Sequence, residues 1–210
     1  MRQTEFTPRA FNEIISWLQQ GKVAVLPTDT IPGFSADAED TAALAKIAAL
    51  KQRPTTKPFL LLVPDFLAAE RLCEFNPAAR RLVKAFWPGG LTMLLPRKPG
   101  VLPEFFPSEH KLALRVPGNP QLVKFLHRFG KPLVSTSVNL AGRPALTTFA
   151  AIAEQVGEAE VLLAEQAVDP TAQASTLVEV DGGEVLILRE GSISEHQIRA
   201  LQENFPADEE

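Results

Sequence analysis

Apolar and polar positions along this chain switch repeatedly between a helical and a strand period. Phe11, Ile14, Ile15 and Leu18 share one face of a helix, with Thr7 expected as its N-cap, Pro8 as its first residue and Gly21 closing it. The apolar run over 22–26 reads as a buried strand ending at Pro27. Further helices are predicted from the Asp40 cap through Leu44, Ile47 and Leu50, over 66–72, over 77–86, from Asn119-Pro120 to Phe129, and over 148–156. Strands are predicted over 58–63, 91–95, 112–116, 132–135, 160–164, 175–180 and 184–188. Ser194, with Gln197 three residues on, makes a capping box for a last helix.

Interleaved strands and helices with no linker-like segment and no repeat predict one α/β domain with a mixed sheet over 1–205, followed by an acidic tail over 206–210. At 210 residues such a domain buries roughly 70% of its unfolded surface without a staple. Cys73 is the only cysteine, which excludes an internal disulfide or a CxxC site, and the three histidines lack zinc-ligand spacing, so no metal site is expected. The longest apolar run, Phe59 to Val63, is too short to span a bilayer. Residues 1–5 lead into an amphipathic stretch, so no secretory leader is expected and the cytoplasm is the expected compartment. A net charge of −4 argues against wholesale nucleic-acid binding but leaves room for a local cationic site.

The common nucleotide loops, GxxxxGK[ST] and GxGxxG, are absent, as is the GxSxG elbow of serine hydrolases. Four segments concentrate polar groups: three on or at the end of apolar strands, where ligands bind in open α/β sheets, and one directly after a helix. Pro27-Thr28-Asp29-Thr30-Ile31-Pro32-Gly33 presents hydroxyls and a carboxylate, and a polar turn accounts for it equally well. Lys51-Gln52-Arg53, with Lys57 nearby, suits a polyanion, and a solvated helix end suits it too. In the strand Lys111-Leu112-Ala113-Leu114-Arg115, alternation puts Lys111, Ala113 and Arg115 on one face, where an arginine can grip a carboxylate with two parallel bonds. Ser135-Thr136-Ser137-Val138-Asn139 follows an apolar strand abruptly; its small polar groups suit ribose, phosphate or an amino acid, or an ordinary turn.

Taken in order, the PTxT loop, the KxR segment, the strand ending in LRVP and the STSxN loop closely resemble the YrdC/TsaC family of threonylcarbamoyl-adenylate synthases. Trp87-Pro88-Gly89-Gly90-Leu91-Thr92 and Leu188-Arg189-Glu190-Gly191 extend the resemblance, which spans about residues 10–195. The resemblance implies a twisted, mixed, open α/β sheet with flanking helices around a concave basic cavity. It also implies synthesis of threonylcarbamoyl-AMP and pyrophosphate from L-threonine, bicarbonate or CO2, and ATP. Mg2+ is expected to accompany the ATP. The product would pass to the proteins that place it on adenosine 37 of tRNA (the t6A modification), with weak direct binding to tRNA left open. Longer relatives carry a further C-terminal domain, for which this chain is expected to be too short.

By position, the resemblance makes Thr30, Arg115, Ser135 and Ser175 threonine-binding. It makes Arg53, Lys57, Lys111, Ser137, Asn139 and Arg189 ATP-binding, and Lys51 and Arg53 the catalytic pair that neutralises the triphosphate. Three positions depart from many relatives: Pro32 in place of an aromatic residue, Leu62 in place of histidine, and Ala145 in place of serine. Two other readings stay open on sequence: a tRNA- or double-stranded-RNA-binding module without ATP turnover, and a paralogous carbamoyl or adenylyl transferase.

Overall fold

The computed structural model describes residues 1–52, 59–102, 110–169 and 171–204. Among these residues ten strands form a single sheet: β1 (Arg2–Glu5), β2 (Val23–Leu26), β3 (Gly33–Asp37), β4 (Leu60–Leu62), β5 (Leu91–Pro96), β6 (Lys111–Arg115), β7 (Leu133–Ser137), β8 (Val161–Glu165), β9 (Thr176–Asp181) and β10 (Glu184–Arg189). Their order across the sheet is β1-β8-β2-β3-β7-β4-β6-β5-β9-β10. The pairs β1·β8, β8·β2, β4·β6 and β5·β9 are parallel and the rest antiparallel, so the expected mixed α/β sheet is what forms. Seven helices among the described residues flank it: α1 (Phe11–Gln19), α2 (Thr41–Leu50), α3 (Phe66–Leu72), α4 (Pro77–Phe86), α5 (Pro120–Phe129), α6 (Phe149–Val156) and α7 (Glu195–Asn204).

The helix ends follow local chemistry. Asp40 accepts from the amides of Ala42 and Ala43 at 2.9 and 3.0 Å and starts α2. Asn119 caps α5 through Gln121 and Leu122, Pro120 fills a position with no donor to lose, and Gly130 stops the helix at φ 76°. Ser194 and Gln197 exchange the bonds of a capping box. Removing the α2 cap by Asp40→Ala should lower unfolding free energy by about 1 kcal/mol in chemical denaturation, because two orphan amides lose their acceptor.

Two strands and one cap differ from the sequence expectation. Pairing of β1 with β8 carries the chain to Phe6, which is 1% exposed and whose amide bonds to Glu165 at 2.7 Å. The chain then turns, the amide of Ala10 bonding Thr7 at 2.9 Å, so α1 starts at Phe11 with no side-chain cap rather than at Pro8. Nothing in Arg2-Gln3-Thr4-Glu5 alternates in polarity, and only the neighbouring strand makes it β. Similarly, β3 reads Gly-Phe-Ser-Ala-Asp, mostly poor β formers apart from Phe34, yet it lies fully buried between β2 and β7. Its small residues are a steric demand, since a Cβ on Gly33 would stand 2.6 Å from the Ser135 hydroxyl.

The two faces of the sheet are covered unequally. One face, with Val25, Phe34, Leu61, Met93, Leu114, Val134 and Val178, is buried under α2, α3, α4, α6 and Ile198 of α7. The other face is covered by α1 and α5, which bury Ala24, Leu26, Leu62, Leu133 and Leu162. A cluster of Phe6, Phe11, Phe125 and Phe129, with centroid separations of 5.3 to 6.1 Å, stiffens that cover. Beyond Leu62 the helices end, and the rest of this face lines an open cavity. The register Ser35–Ser135–Leu60–Ala113–Leu94 runs across five strands, and its last four residues lie in the cavity wall.

Candidate functional site

The cavity holds about 420 Å3, within the range of small-molecule sites. Its floor is apolar (Leu60, Leu94, Ala113 and Leu177), while hydroxyls of Thr28, Thr30, Thr92, Ser135, Ser137 and Ser175 ring it. Several of these are already oriented. Thr28 and Thr30 share a 3.0 Å bond, and Thr92 and Ser175 share one of 2.7 Å. Such a surface offers many donors and acceptors around a small apolar floor, which suits a compact polar ligand with a methyl or methylene to bury.

Among the described residues, two arginines bring positive charge to the cavity wall. Arg115, at the end of β6, is 2% exposed. It donates from Nε to the Gly89 carbonyl at 2.8 Å, from one terminal nitrogen to the Thr30 hydroxyl at 2.7 Å, and from the other to the Asp29 carboxylate. The Asp29 backbone faces solvent, but its side chain is turned inward to 19% exposure. Arg189, at the end of β10, donates to the Ser175 carbonyl at 2.8 Å. Burial first, then the like charge of Arg115, pull the Arg189 pKa below its ordinary value. Two guanidinium groups thus share the wall and repel each other, and Asp29 is the carboxylate that pairs with Arg115. An arriving anion relieves that repulsion.

The sequence-expected residues divide by location. Thr30, Arg115, Ser135, Ser137, Asn139, Ser175 and Arg189 all line the one cavity, although they come from five separate segments. Arg53 and Lys57 lie outside the described residues, as does the tail over 206–210. Lys111 is held at the start of β6 by Glu179 at 2.5 Å and Asp181 at 2.6 Å. Those hydrogen bonds raise its pKa.

Lys51 is turned away from the role of an open cation. It is 4% exposed, and its ammonium donates to the Ser137 carbonyl, to the Asn139 carbonyl at 3.3 Å and to the Asn139 side-chain oxygen at 2.7 Å. The Ser137 hydroxyl donates to the same Asn139 oxygen at 2.6 Å, and the Ala141 amide bonds the Lys51 carbonyl at 2.9 Å. Lysine and loop therefore form one unit behind the cavity wall.

Of the three departures, Ala145 lines the cavity. Leu62 neighbours Arg115 in register but is packed under α1 and α5, and Pro32 is buried beside the lining residue Ile31. Sequence reasoning quoted Thr28 and Thr92 within their motifs but gave neither a site role, although a threonine beside a buried apolar strand was the available signal. It left Asp29 open between a ligand-facing carboxylate and a turn residue, because its partner lies 86 residues away. Cys73 is buried and its thiol is pushed up to about 12 by that burial, so no thiolate serves as a nucleophile here. No helix among the described residues is long and apolar enough to cross a membrane.

An open, hydroxyl-ringed cavity with two arginines at strand ends makes this an α/β protein built to hold a small anionic ligand. Comparison with known families matches residues 16–191 to the Sua5/YciO/YrdC family, described as telomere recombination. The chain belongs to that family. A threonylcarbamoyl-AMP synthase of Bacillus subtilis is 31% identical over 186 residues, covering 88% of this chain and 54% of the relative. One from Photobacterium profundum is 32% identical over 149 residues, covering 70% of this chain and 80% of the relative. The crystal structure of P. abyssi Sua5 complexed with L-threonine superposes with a TM-score of 0.86 at 25% identity, covering 95% of this chain and 59% of that one. This chain thus spans a little over half the length of the Bacillus and P. abyssi relatives.

Proposed function

We propose that this protein is a nucleotidyltransferase that makes threonylcarbamoyl-AMP from L-threonine, bicarbonate or CO2, and ATP. The observation that carries the reading is the buried Arg115 guanidinium at the base of a hydroxyl-ringed cavity, in a chain of this family. Likeness to a relative that binds L-threonine, and to relatives named for this synthesis, supports it.

In this reading the threonine carboxylate meets Arg115, with Thr30, Ser135 and Ser175 around the amino acid. The threonine amine adds to the carbon of CO2 and loses a proton, giving a carbamate. A carbamate oxygen then attacks the α-phosphorus of ATP as the bond to the pyrophosphate oxygen breaks. Arg189, Ser137 and Asn139 face the nucleotide half. With no covalent intermediate on the protein, the acceleration comes from holding two anions in line and from fixed cations where phosphate charge develops. Among the described residues no group of three or more His, Cys, Asp or Glu could hold a metal. Mg2+ is therefore proposed as a companion of the ATP phosphates rather than as an ion caged by side chains.

Delivery of the product to tRNA-modifying proteins in the cytoplasm completes the proposal. An RNA-binding module is less well supported, because the net charge is −4 and the sequence has no tyrosine and no basic stripe interleaved with aromatic residues on which bases could stack. The test is incubation with ATP, bicarbonate and single amino acids. Pyrophosphate and the adenylate mass are expected with L-threonine and close analogues, and release that ignores the amino acid would sink the reading.

A further inference from the structure

Asp29 and Gly118 do not line the cavity, yet both bear on Arg115. The guanidinium is a rigid planar fork with five N–H donors. Among the described residues its partners are the Gly89 carbonyl, the Thr30 hydroxyl and the Asp29 carboxylate, one per nitrogen. That leaves one N–H on each terminal nitrogen for a ligand. Three anchors from two loops thus fix the plane of the fork, and Asp29 is the charged one. The Gly89 anchor is itself fixed, since the Gly89 amide bonds the Val116 carbonyl at 2.9 Å.

Gly118 explains how the carboxylate fits. A Cβ there would stand 2.8 Å from the second Asp29 oxygen and 3.3 Å from its carboxyl carbon, but an ordinary 3.4 Å from the Gly89 backbone. An alanine at 118 therefore pushes the Asp29 carboxylate and leaves the Gly89 anchor in place.

We infer that Asp29 and Gly118 are a positioning pair: the carboxylate sets the plane in which Arg115 receives the amino-acid carboxylate, and Gly118 keeps the space that carboxylate occupies. The inference rests on the proposed function and assigns that site two residues that do not line its cavity. Electrostatics alone predicts the opposite sign, because removing a negative charge beside Arg115 strengthens attraction for an anion. Positioning predicts weaker binding, and the two are separable by experiment.

The measurement is kcat and KM for L-threonine and for ATP, from pyrophosphate release, in wild type, Asp29→Asn, Gly118→Ala and the double variant, with melting temperatures alongside. Each single variant is expected to raise the KM for L-threonine about tenfold, roughly the loss of one charge-assisted contact, with the KM for ATP near wild type. The double variant should be no worse than Asp29→Asn, because both substitutions act on one contact. Should Asp29→Asn fold poorly, Gly118→Ala keeps every charge and carries the test alone. An unchanged or lowered KM for L-threonine, equal losses for both substrates, or multiplying effects in the double variant would overturn the inference. A wild type that ignores threonine removes the proposed function and this inference together; a threonine-dependent wild type with unmoved variants removes this inference alone.

Discussion

Replacing Arg115 with alanine is expected to cut threonine-dependent kcat/KM by about 10²- to 10⁴-fold, the loss of two charge-assisted hydrogen bonds at roughly 1.5–3 kcal/mol each. The side chain is 2% exposed, so water cannot take its place without reorganising the wall. Its removal also leaves Asp29 turned inward and unpaired and frees the Thr30 hydroxyl and the Gly89 carbonyl. Breaking a buried pair from one side costs about 3–5 kcal/mol, and the 19% exposure of Asp29 reduces that figure by solvent screening. Arg115→Lys separates charge from shape. An ammonium keeps the charge but cannot satisfy three acceptors spread around a planar fork. Lysine should therefore restore the fold more than the threonine dependence. Wild-type KM for L-threonine in a folded Arg115→Ala variant would show that the amino acid binds elsewhere.

Most of the architecture that places Arg115 is legible in the sequence. The Asp40 and Asn119 caps, the Gly130 stop and the capping box at Ser194 are local contacts within a few residues, and local patterns report local contacts. The strand ending at Arg115 is legible because apolar and polar residues alternate along it. What was hidden is non-local. The strand Arg2–Glu5 forms because Val161–Glu165 offers it a backbone edge, and Gly33–Asp37 forms because its neighbours demand small side chains. The site divides the same way. Residues at strand ends could be named from sequence, but their partners could not. Asp29 reaches Arg115 across 86 residues, and Lys51 reaches Asn139 across 88. A lysine beside an arginine after a helix looks like an open cationic end until the fold shows where its ammonium points.

That difference makes Lys51→Met the second large prediction, and its sign pattern separates two roles. A lysine that only neutralised phosphate would, when replaced, weaken ATP binding and leave the melting temperature alone. A lysine that anchors the loop from Ser137 to Arg143 must do more. Methionine fills much of the same buried space but donates nothing to the Ser137 and Asn139 oxygens. The Asn139 side-chain oxygen keeps the Ser137 hydroxyl, but the part-buried Ser137 and Asn139 carbonyls lose the ammonium, at up to about 1–3 kcal/mol each, so the variant should melt measurably lower. The same loop carries Ser137 and Asn139 into the cavity, so the KM for ATP should rise with it, while the KM for L-threonine moves less. Asn139→Ala breaks the same unit from the other side, since Asn139 also accepts from the Ser137 hydroxyl and donates to the Arg143 carbonyl at 2.6 Å. The double variant should then be much less damaging than the sum of the singles, because residues in one hydrogen-bonded network do not add. Full additivity in melting temperature and in the KM for ATP would mean that Lys51 and Asn139 act separately, and the anchoring role would fall.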